Sequence, residues 1–468
     1  MLGFVKNMFG TKTSPIGIDF GSDSLKMAQA VQSGGEWKLQ AAASADVPAN
    51  VRHDQAARLN FFCDSVKDLL IQGNFEGKSV VLALPAASMF IQHLRMPQMD
   101  EESLRKALPW EARGKLPIDP HHALLRHSIA GDVFQDQEAK VEVILMAAGR
   151  ELVNQFLATA ARAKLDVIGM HVEPKAIVDC FCHIYRRKTE AEVTSMYVDI
   201  GASGSRAFIA RGTQLLFARA IAVGGDAFTR TIAGQLSMNM DEAKLLRLKL
   251  ANSQMAAGEV QQQHQDVVEP QPERQPARGR IAADDTPQGD GQEMDDSGGG
   301  FALLGAALAA AAGKSTAAPR GGAGSEPAMP RPAQRPPQAQ PQQQQHSRAI
   351  DLQGAGPDAQ ARAVERIMQE QAHKIVGELE MCKRYYEATF PAKPVDRLIF
   401  IGGESKNRAL CTWIAREMGL AAQVGDPLVR MGRVSEIAIE SGIDRRQPQP
   451  NWAVAIGLSM GSVPGSAT

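Results

Sequence analysis

One short pattern occurs twice in this sequence, and its two copies lie 180 residues apart. In each copy an apolar strand ends in an aspartate, a turn of Gly and Ser follows, and a second strand completes a β-hairpin. Asp19 of the first copy corresponds to Asp199 of the second, and Gly21 corresponds to Gly201. The repeat predicts a duplicated fold whose two halves each begin with the same hairpin.

The segments that follow the hairpins alternate between helices and strands. Residues 54–72 carry apolar side chains at helical spacing, and residues 80–84 are typical of a buried strand. A long helix is expected at about 359–390, and a strand at 397–401 leads into a Gly-Gly turn. This alternation predicts an α/β protein with two lobes.

A long segment of the second half has a composition unlike the rest. Between Ser253 and Ile350, 39 of 98 residues are Pro, Gly or Gln, and Phe301 is the only aromatic residue. Such a stretch cannot bury enough apolar surface to offset the entropy of ordering its backbone. We therefore expect a disordered insertion, which leaves about 370 of the 468 residues to fold.

These observations divide the chain into two lobes, an inserted subdomain and segments outside the folded core. The expected bounds are a flexible tail at 1–14, a first lobe at 15–195 with a subdomain inserted at about 85–165, a second lobe at 196–252 and 351–460, the insertion at 253–350, and a flexible tail at 461–468.

Charge and hydropathy exclude two classes of function. With 51 Lys and Arg against 52 Asp and Glu, the chain lacks the basic excess of a nucleic-acid binder. The longest apolar run, Phe301–Ala312, has 12 residues, whereas a membrane helix needs about 20. Five cysteines without a secretory signal indicate reduced thiols. We expect a cytosolic protein that meets a membrane only through partners.

The two turns have the chemistry of an anion site. A Gly/Ser turn after a strand exposes backbone N–H groups that can surround anionic oxygens. Two such turns could hold a polyphosphate from both sides, with Asp19 and Asp199 facing the gap. Gly402 and Gly403 form a third candidate, because glycine allows a flat group to approach closely. Any one of these turns is also typical of an ordinary connection.

Several motifs occur in an order similar to that of the actin-like ATPase superfold. The matching segments are the first phosphate loop (18–22), the first hinge segment (171–174), the second phosphate loop (198–202), a Gly-Gly near the nucleotide (224–225), the adenosine loop (401–403) and the second hinge segment (455–457). Within that superfold, residues 94–97, 99–108, 110–112 and 116–117 resemble the PilM family of type IV pilus assembly proteins. The implied fold is a duplicated, ribonuclease H-like, two-lobed ATPase fold with an inserted subdomain and a long disordered linker. Walker and dinucleotide fingerprints are absent.

The resemblance implies a set of nucleotide-binding residues. The first phosphate loop would comprise Asp19, Gly21, Ser22, Ser24 and Lys26, the second Asp199, Gly201, Ala202 and Ser203, with Gly224 and Gly225 near the nucleotide and Gly402 and Gly403 facing the adenosine. The implied ligand is ATP with Mg2+, and Asp19 and Asp199 would hold the metal through water.

Glu173 has two interpretations. It falls at the hinge position where related ATPases place the residue that orients the attacking water, which would make it catalytic. It also precedes Pro174 at a helix N-terminus, where the helix dipole favours an acidic side chain. Hydrolysis is expected to be slow or absent, because phosphoryl transfer depends on positioning that a motif does not establish.

Two helices depart from the family pattern. The helix after the second hairpin usually carries an acidic residue and, three positions later, a basic one for ribose contact, whereas this chain has Lys244 and Arg247. The ribose contacts therefore stay open. Pro109 lies inside the helix predicted near residue 100, where it should kink or restart that helix.

The resemblance implies a cytosolic ATP-binding scaffold of a type IV pilus or related secretion system, held at the inner face of the inner membrane by partners. One partner would be the N-terminal cytoplasmic peptide of a PilN-like inner-membrane protein, and the pilus motor ATPases are another. The peptide would dock against the subdomain through apolar anchors. Candidate wall residues, which would equally suit a subdomain core, are Leu104, Trp110, Leu116 and Ile118.

Two other functions are open to the same superfold. A small-molecule kinase would need a second-substrate pocket with a catalytic aspartate, and the inserted subdomain has no matching motif. An FtsA-like polymerising division protein generally ends in an amphipathic anchor helix, whereas residues 459–468 are mostly small.

Overall fold

The computed structural model describes residues 12–85, 88–135, 137–184, 192–251, 357–434 and 440–461. The insertion expected at 253–350 lies outside these residues, as do 1–11 and 462–468 of the two expected tails. Lys12 and Thr13, which we expected in the N-terminal tail, pair as a short strand with Gln32 and Val31.

Fifteen strands form three sheets within the described residues. They are β1 (Lys12–Thr13), β2 (Ile16–Phe20), β3 (Ser24–Ser33), β4 (Glu36–Asp46), β5 (Ser79–Ala83), β6 (Met89–Pro97), β7 (Ala123–Gln135), β8 (Glu138–Gly149), β9 (Asp166–His171), β10 (Thr194–Ile200), β11 (Ser205–Arg211), β12 (Gln214–Ile221), β13 (Arg397–Ile401), β14 (Ala421–Val424) and β15 (Gly432–Arg433).

Nine α-helices pack against these sheets in the described part of the chain. They are α1 (Gln55–Gln72), α2 (Glu101–Glu111), α3 (Arg150–Arg162), α4 (Glu173–Cys182), α5 (Gly225–Gln235), α6 (240–251), α7 (Pro357–Thr389), α8 (Arg408–Met418) and α9 (Ala453–Met460). None of the described helices is long and apolar enough to cross a bilayer.

The predicted duplication is confirmed by the strand pairing of the two large sheets. In the first lobe β2 pairs antiparallel with β3 and parallel with β5. In the second lobe β10 pairs antiparallel with β11 and parallel with β13. The strand order is β15-β4-β3-β2-β5-β9 in the first lobe, with β1 on β3, and β12-β11-β10-β13-β14 in the second. Each lobe therefore presents its hairpin turn at the end of a central strand.

The inserted subdomain is a three-stranded antiparallel sheet, β6-β8-β7, covered on one face by α2. Its core contains Leu94, Leu108 and Val143. Helix α3 instead packs with the first lobe, where Phe156 contacts Phe20 with ring centroids 5.2 Å apart. The separate core therefore ends with β8, earlier than the expected boundary at about 165.

Helix α2 does not restart at Pro109, which was one of the two effects expected of this proline. The helix runs to Glu111 with the proline in its last turn. A proline removes one N–H donor, and the next turn still closes because the Ala112 amide donates to the Leu108 carbonyl at 2.9 Å.

A buried carboxylate links the subdomain to the second lobe. Glu142 of β8 is fully buried and accepts hydrogen bonds from Arg95 Nε at 3.2 Å and from the Tyr385 hydroxyl at 2.7 Å, and it contacts His93 Nδ1 at 3.1 Å. Burial alone would raise the pKa of Glu142, but these partners lower it below its ordinary value. Because Tyr385 belongs to α7, the network joins two parts of the fold.

Helix α9 closes the core between the two lobes. A Cβ on Gly457 would lie 1.9 Å from the Ala176 carbonyl oxygen, so the backbones of α9 and α4 touch directly. Ser459 Oγ donates to the Pro15 carbonyl at 2.7 Å and accepts from the Ala30 amide at 2.8 Å. The helix thereby completes the first lobe from the far end of the chain.

Candidate functional site

The turns of the two hairpins open onto one cleft of about 380 Å³ between the lobes. Twelve of the residues expected at a nucleotide line it: Asp19, Gly21, Ser22, Ser24, Lys26, Glu173, Asp199, Gly201, Ala202, Ser203, Gly402 and Gly403. The fold therefore brings together segments that are up to 384 residues apart in sequence (Asp19 to Gly403).

Both hairpins place a cation directly opposite the strand-end aspartate. Asp19 faces Lys26 across β2 and β3, and Asp199 faces Arg206 across β10 and β11. The spacing is seven residues in both copies. The sequence analysis named Lys26 but missed Arg206, and the repeated spacing was the signal that would have found it.

Arg206 is held by two carboxylates. Its Nη2 and Nε lie 2.7 and 3.0 Å from Asp199 Oδ2, and its Nη1 lies 2.5 Å from Glu173 Oε2. Burial alone would lower the pKa of this guanidinium, but Asp199, Glu173 and Asp19 raise it above its usual value. Glu173, the candidate for orienting water, is thus an ion-pair partner in this arrangement.

Asp19 is buried at the end of β2, whereas the turn residues that follow it are half-buried. Burial raises the pKa of its carboxyl, Asp199 adds to the rise, and Lys26 and Arg206 oppose it. Lys26 donates a hydrogen bond to Ser24 Oγ of the same hairpin. The first hairpin therefore places its lysine opposite the aspartate and bonds it to the serine, without an ion pair between the lysine and the aspartate.

Several turn amides, among them those of Ser22, Asp23, Ala202 and Ser203, donate no backbone hydrogen bond within the described residues. Hydrogen bonds within the second lobe keep its turn in shape, since the Gly225 amide donates to the Gly201 carbonyl at 2.9 Å and the Asp226 amide to the Ala202 carbonyl at 2.8 Å. Gly224 and Gly225 thus lie behind the second turn and do not line the cleft. Unsatisfied amides on two facing turns are the donors that an anion would need.

The Gly-Gly turn after β13 packs directly on the second turn. Gly402 has φ +89, and a Cβ there would lie 2.3 Å from Asp199 Oδ1. Gly403 begins a short 3₁₀ helix, Gly403–Lys406, which precedes α8. Any larger residue at 402 would push Asp199 out of its contact with Arg206.

Both cations at the expected ribose positions are paired with acids. Lys244 Nζ lies 2.9 Å from Asp23 Oδ1, and Arg247 forms a two-pronged ion pair with Glu404, with Nη2 to Oε1 at 3.0 Å. Arg52 also pairs with Asp23. Sequence reasoning missed Asp23 and Glu404, because each lies in another lobe or loop.

Three further cations of the cleft have no carboxylate partner in the described part of the chain: Lys26, Arg58 and Lys406. Arg58 Nη2 donates to the Gly21 carbonyl at 3.3 Å, and burial lowers its pKa. Burial also lowers the pKa of Lys406, and the charge of Lys26 lowers it further. Two lysines from opposite lobes therefore repel each other across the cleft, which an anion between them would relieve.

The carboxylates of the cleft do not offer the donors that Mg2+ needs. Mg2+ takes a near-octahedral set of oxygens, usually several waters with one or two carboxylates. Here each strand-end carboxylate already has a cation beside it: Arg206 engages Asp199 and Glu173, and Lys26 lies opposite Asp19 in the first hairpin. Nor do the described residues contain a group of three or more His, Cys, Asp or Glu side chains placed to hold a metal ion. The Mg2+ expected at Asp19 and Asp199 does not fit this arrangement.

The expected peptide-wall residues divide between core and surface. Leu104 and Leu116 are buried in the core of the subdomain, and Ile118 packs on that core while half-buried. Trp110 is 66% exposed, with the Arg113 guanidinium 4.8 Å from its ring centroid. Of these four residues, Trp110 is therefore the one whose side chain is mostly exposed.

Comparison with known proteins gives two kinds of match. Residues 17–266 match the model of the type IV pilus assembly protein PilM family. The fold is similar to the solved PilM-PilN type IV pilus biogenesis complex, with a TM-score of 0.62 and 17% identity over 96% of this chain and 98% of that chain. It is also similar to the ethanolamine utilization protein EutJ from Carboxydothermus hydrogenoformans, with a TM-score of 0.43 and 9% identity over 97% of this chain and 91% of that chain.

The first of these structures shows the fold, which is the two-lobed actin-like ATPase fold with an inserted subdomain. The family model covers 250 residues, from 17 to 266, which is more than half of the 468-residue chain. This chain belongs to the PilM family of type IV pilus assembly proteins.

Proposed function

We propose that this type IV pilus assembly protein binds ATP in the cleft between its lobes. One observation carries the proposal: open backbone amides and unpaired cations from both lobes converge on a single cleft. The amides are those of Ser22, Asp23, Ala202 and Ser203, and the cations are Lys26, Arg58 and Lys406. Such a surface suits a ligand with several negative charges.

A polyphosphate suits this cleft better than a single phosphate would. The amides lie on two turns from different lobes that line one cleft, so a chain of phosphates can offer oxygens to both sets at once. The Gly402 turn borders the same cleft and leaves room for a flat group close to its backbone. A nucleoside triphosphate combines the two features.

Titration of the full chain with ATP by calorimetry tests this proposal. We expect binding, and we expect Lys26→Met to weaken it about tenfold, because a hydrogen bond to a charged group contributes about 1.5–3 kcal/mol. Lys78→Met is the matched control, since Lys78 is an exposed lysine of the same lobe outside the cleft. Absence of ATP binding in the unchanged protein, or equal affinity in Lys26→Met, contradicts the proposal.

We propose further that hydrolysis is slow or absent. A residue that orients the attacking water needs a hydrogen-bonding side-chain oxygen directed at that water. Glu173 has its Oε2 2.5 Å from Arg206 Nη1, which competes for that role. The protein would then act as a nucleotide-binding scaffold, with ATP favouring one arrangement of the lobes. Mg2+ is left out of this proposal, since Arg206 already engages Asp199.

The proposed partner is the N-terminal cytoplasmic peptide of a PilN-like inner-membrane pilus protein. The solved structure that this fold resembles is a complex of PilM with PilN. In this chain Trp110 supplies a large exposed apolar surface on α2, of the kind that anchors a peptide. The protein would then work at the cytoplasmic face of the inner membrane, held there by its partner.

A binding assay with a synthetic peptide from such a partner tests this second part. We expect Trp110→Ala to weaken binding at least about tenfold, as the loss of an aromatic anchor usually costs 2 kcal/mol or more. Phe134→Ala is the control, because Phe134 is an 83% exposed aromatic residue of the same subdomain. If both variants bind like the unchanged protein, Trp110 is not an anchor.

A further inference from the structure

We infer that Arg206 stands in for the divalent cation of this cleft, so that the protein binds its nucleotide as the metal-free anion. This inference rests on the proposed nucleotide binding and specifies the form of the ligand. It distinguishes this chain from a protein that takes the magnesium complex of a nucleotide.

The first argument is the state of the two carboxylates nearest the second turn. Arg206 lies between them, with Nη2 2.7 Å from Asp199 Oδ2 and Nη1 2.5 Å from Glu173 Oε2. Its side chain is 17% exposed and theirs 4% and 6%, so this charge is part of the folded core. A guanidinium keeps its proton at every accessible pH. A metal ion would have to displace it and leave it buried without its partners.

The second argument is the charge that remains. Lys26 and Arg58 from the first lobe and Lys406 from the second line the cleft without a carboxylate partner among the described residues. A free nucleotide brings the negative charge that these cations need. A magnesium complex has two negative charges fewer, since the metal ion brings its own positive charge into a partly buried cleft that already holds three cations.

The third argument concerns the strand-end aspartates. If a metal bridged them to the phosphates, removing the charge of Asp19 would weaken binding, because the metal would lose a ligand. With metal-free nucleotide the same carboxylate repels the phosphates, so Asp19→Asn should bind equally well or more tightly. Whether Asp19→Asn weakens or strengthens nucleotide binding therefore distinguishes binding with a metal from binding without one. Asparagine has nearly the size of aspartate, so the shape of the site is kept.

The experiment is calorimetric titration of the full chain with sodium ATP, once with excess EDTA and once with excess MgCl2. We expect the affinity in EDTA to equal or exceed the affinity in MgCl2. Binding that is tenfold or more tighter with MgCl2 overturns the inference and leaves the proposed function intact. Absence of binding in both buffers overturns both.

Two variants extend the test. Arg206→Ser removes the guanidinium that engages Asp199, and we expect the variant to bind ATP more tightly in MgCl2 than in EDTA, the reverse of the unchanged protein. Since that variant alters a buried cluster, Lys406→Met is measured beside it, because Lys406 lies in the short 3₁₀ helix at the edge of the cleft and belongs to no ion pair of the described residues. Lys406→Met should weaken binding in EDTA about tenfold, while Lys78→Met should not. Unchanged affinity of Lys406→Met in EDTA also overturns the inference.

Discussion

Lys244 and Asp23 form an ion pair across the mouth of the cleft, with Lys244 Nζ 2.9 Å from Asp23 Oδ1. Lys244 belongs to α6 of the second lobe, and Asp23 belongs to the turn between β2 and β3 of the first. Arg52 pairs with the same carboxylate. The two lobes are therefore fastened to each other directly over the residues expected to meet a ligand.

Breaking this pair should speed ligand exchange and change stability little. The two side chains are 29% and 39% exposed, so Lys244→Met should cost less than about 1 kcal/mol of unfolding free energy. The same loss at the cleft mouth should raise the release rate of a fluorescent ATP analogue about two- to fivefold, measured by stopped flow. Lys249→Met removes an exposed lysine from the same helix and should leave the rate unchanged. Equal release rates in both variants would contradict this role.

Gly402→Ala should destabilise the second lobe. Its φ of +89 disfavours any residue with a Cβ, and that Cβ would lie 2.3 Å from Asp199 Oδ1. We expect a loss of about 2–4 kcal/mol in urea unfolding followed by circular dichroism. Gly234→Ala is the control, because Gly234 lies inside α5 with open space around it and should gain about 0.5–1 kcal/mol. A Gly402→Ala protein as stable as the unchanged one would show that the turn adapts.

Gly457→Ala should disrupt the contact between α9 and α4. A Cβ there would lie 1.9 Å from the Ala176 carbonyl, so the two backbones must separate. Overpacking of this kind costs about 1–3 kcal/mol, and more where backbone must move. Gly377→Ala in α7 has open space and should raise the thermal midpoint slightly. Thermal unfolding checks both, and equal midpoints would refute the expected clash.

The Glu142 network should make the free energy of unfolding change with pH in the acid range. The pKa of Glu142 is lower in the folded protein than its ordinary value of 4.5, so just below pH 4.5 the unfolded chain binds more protons. The ionised Glu142 therefore stabilises the folded protein fully above pH 4.5. This stabilisation is lost as the pH falls through the lower pKa that Glu142 has in the folded protein.

Unfolding free energies at pH 7 and at pH 4 test this dependence. Glu142→Gln should lower the free energy of unfolding by about 1.5–3 kcal/mol at pH 7, because the buried carboxylate accepts hydrogen bonds as a charged group. The loss should shrink at pH 4. Glu138→Gln, at an exposed position of the same strand, should change neither value by more than about 0.5 kcal/mol. A Glu142→Gln loss that is the same at both pH values would remove Glu142 from the acid response.

Local features of the fold could be predicted from the sequence, because each depends on a few adjacent residues. The hairpins at Asp19 and Asp199 are examples, and so is the burial of Ile375 and Leu379 on α7. Arg206 was equally predictable, because the seven-residue spacing between aspartate and cation recurs in the second copy of the repeat.

Contacts between distant segments could not be predicted in this way. Lys244 and Asp23 are 221 residues apart, and Arg247 and Glu404 are 157 apart. Their pairing depends on how the lobes face each other, which no local pattern records. Likewise the helical period of α2 separates its faces, but only packing on the sheet shows that Leu104 is buried while Trp110 is exposed.

The position of α9 has a consequence for synthesis of the chain on the ribosome. Ser459 bonds to Pro15 and Ala30, and Gly457 packs on α4, so elements made first are finished by an element made last. The first lobe cannot reach its final packing until residue 460 has emerged. Its sheet must wait through the translation of the whole second lobe, as a partly folded intermediate with the surface for α9 still uncovered.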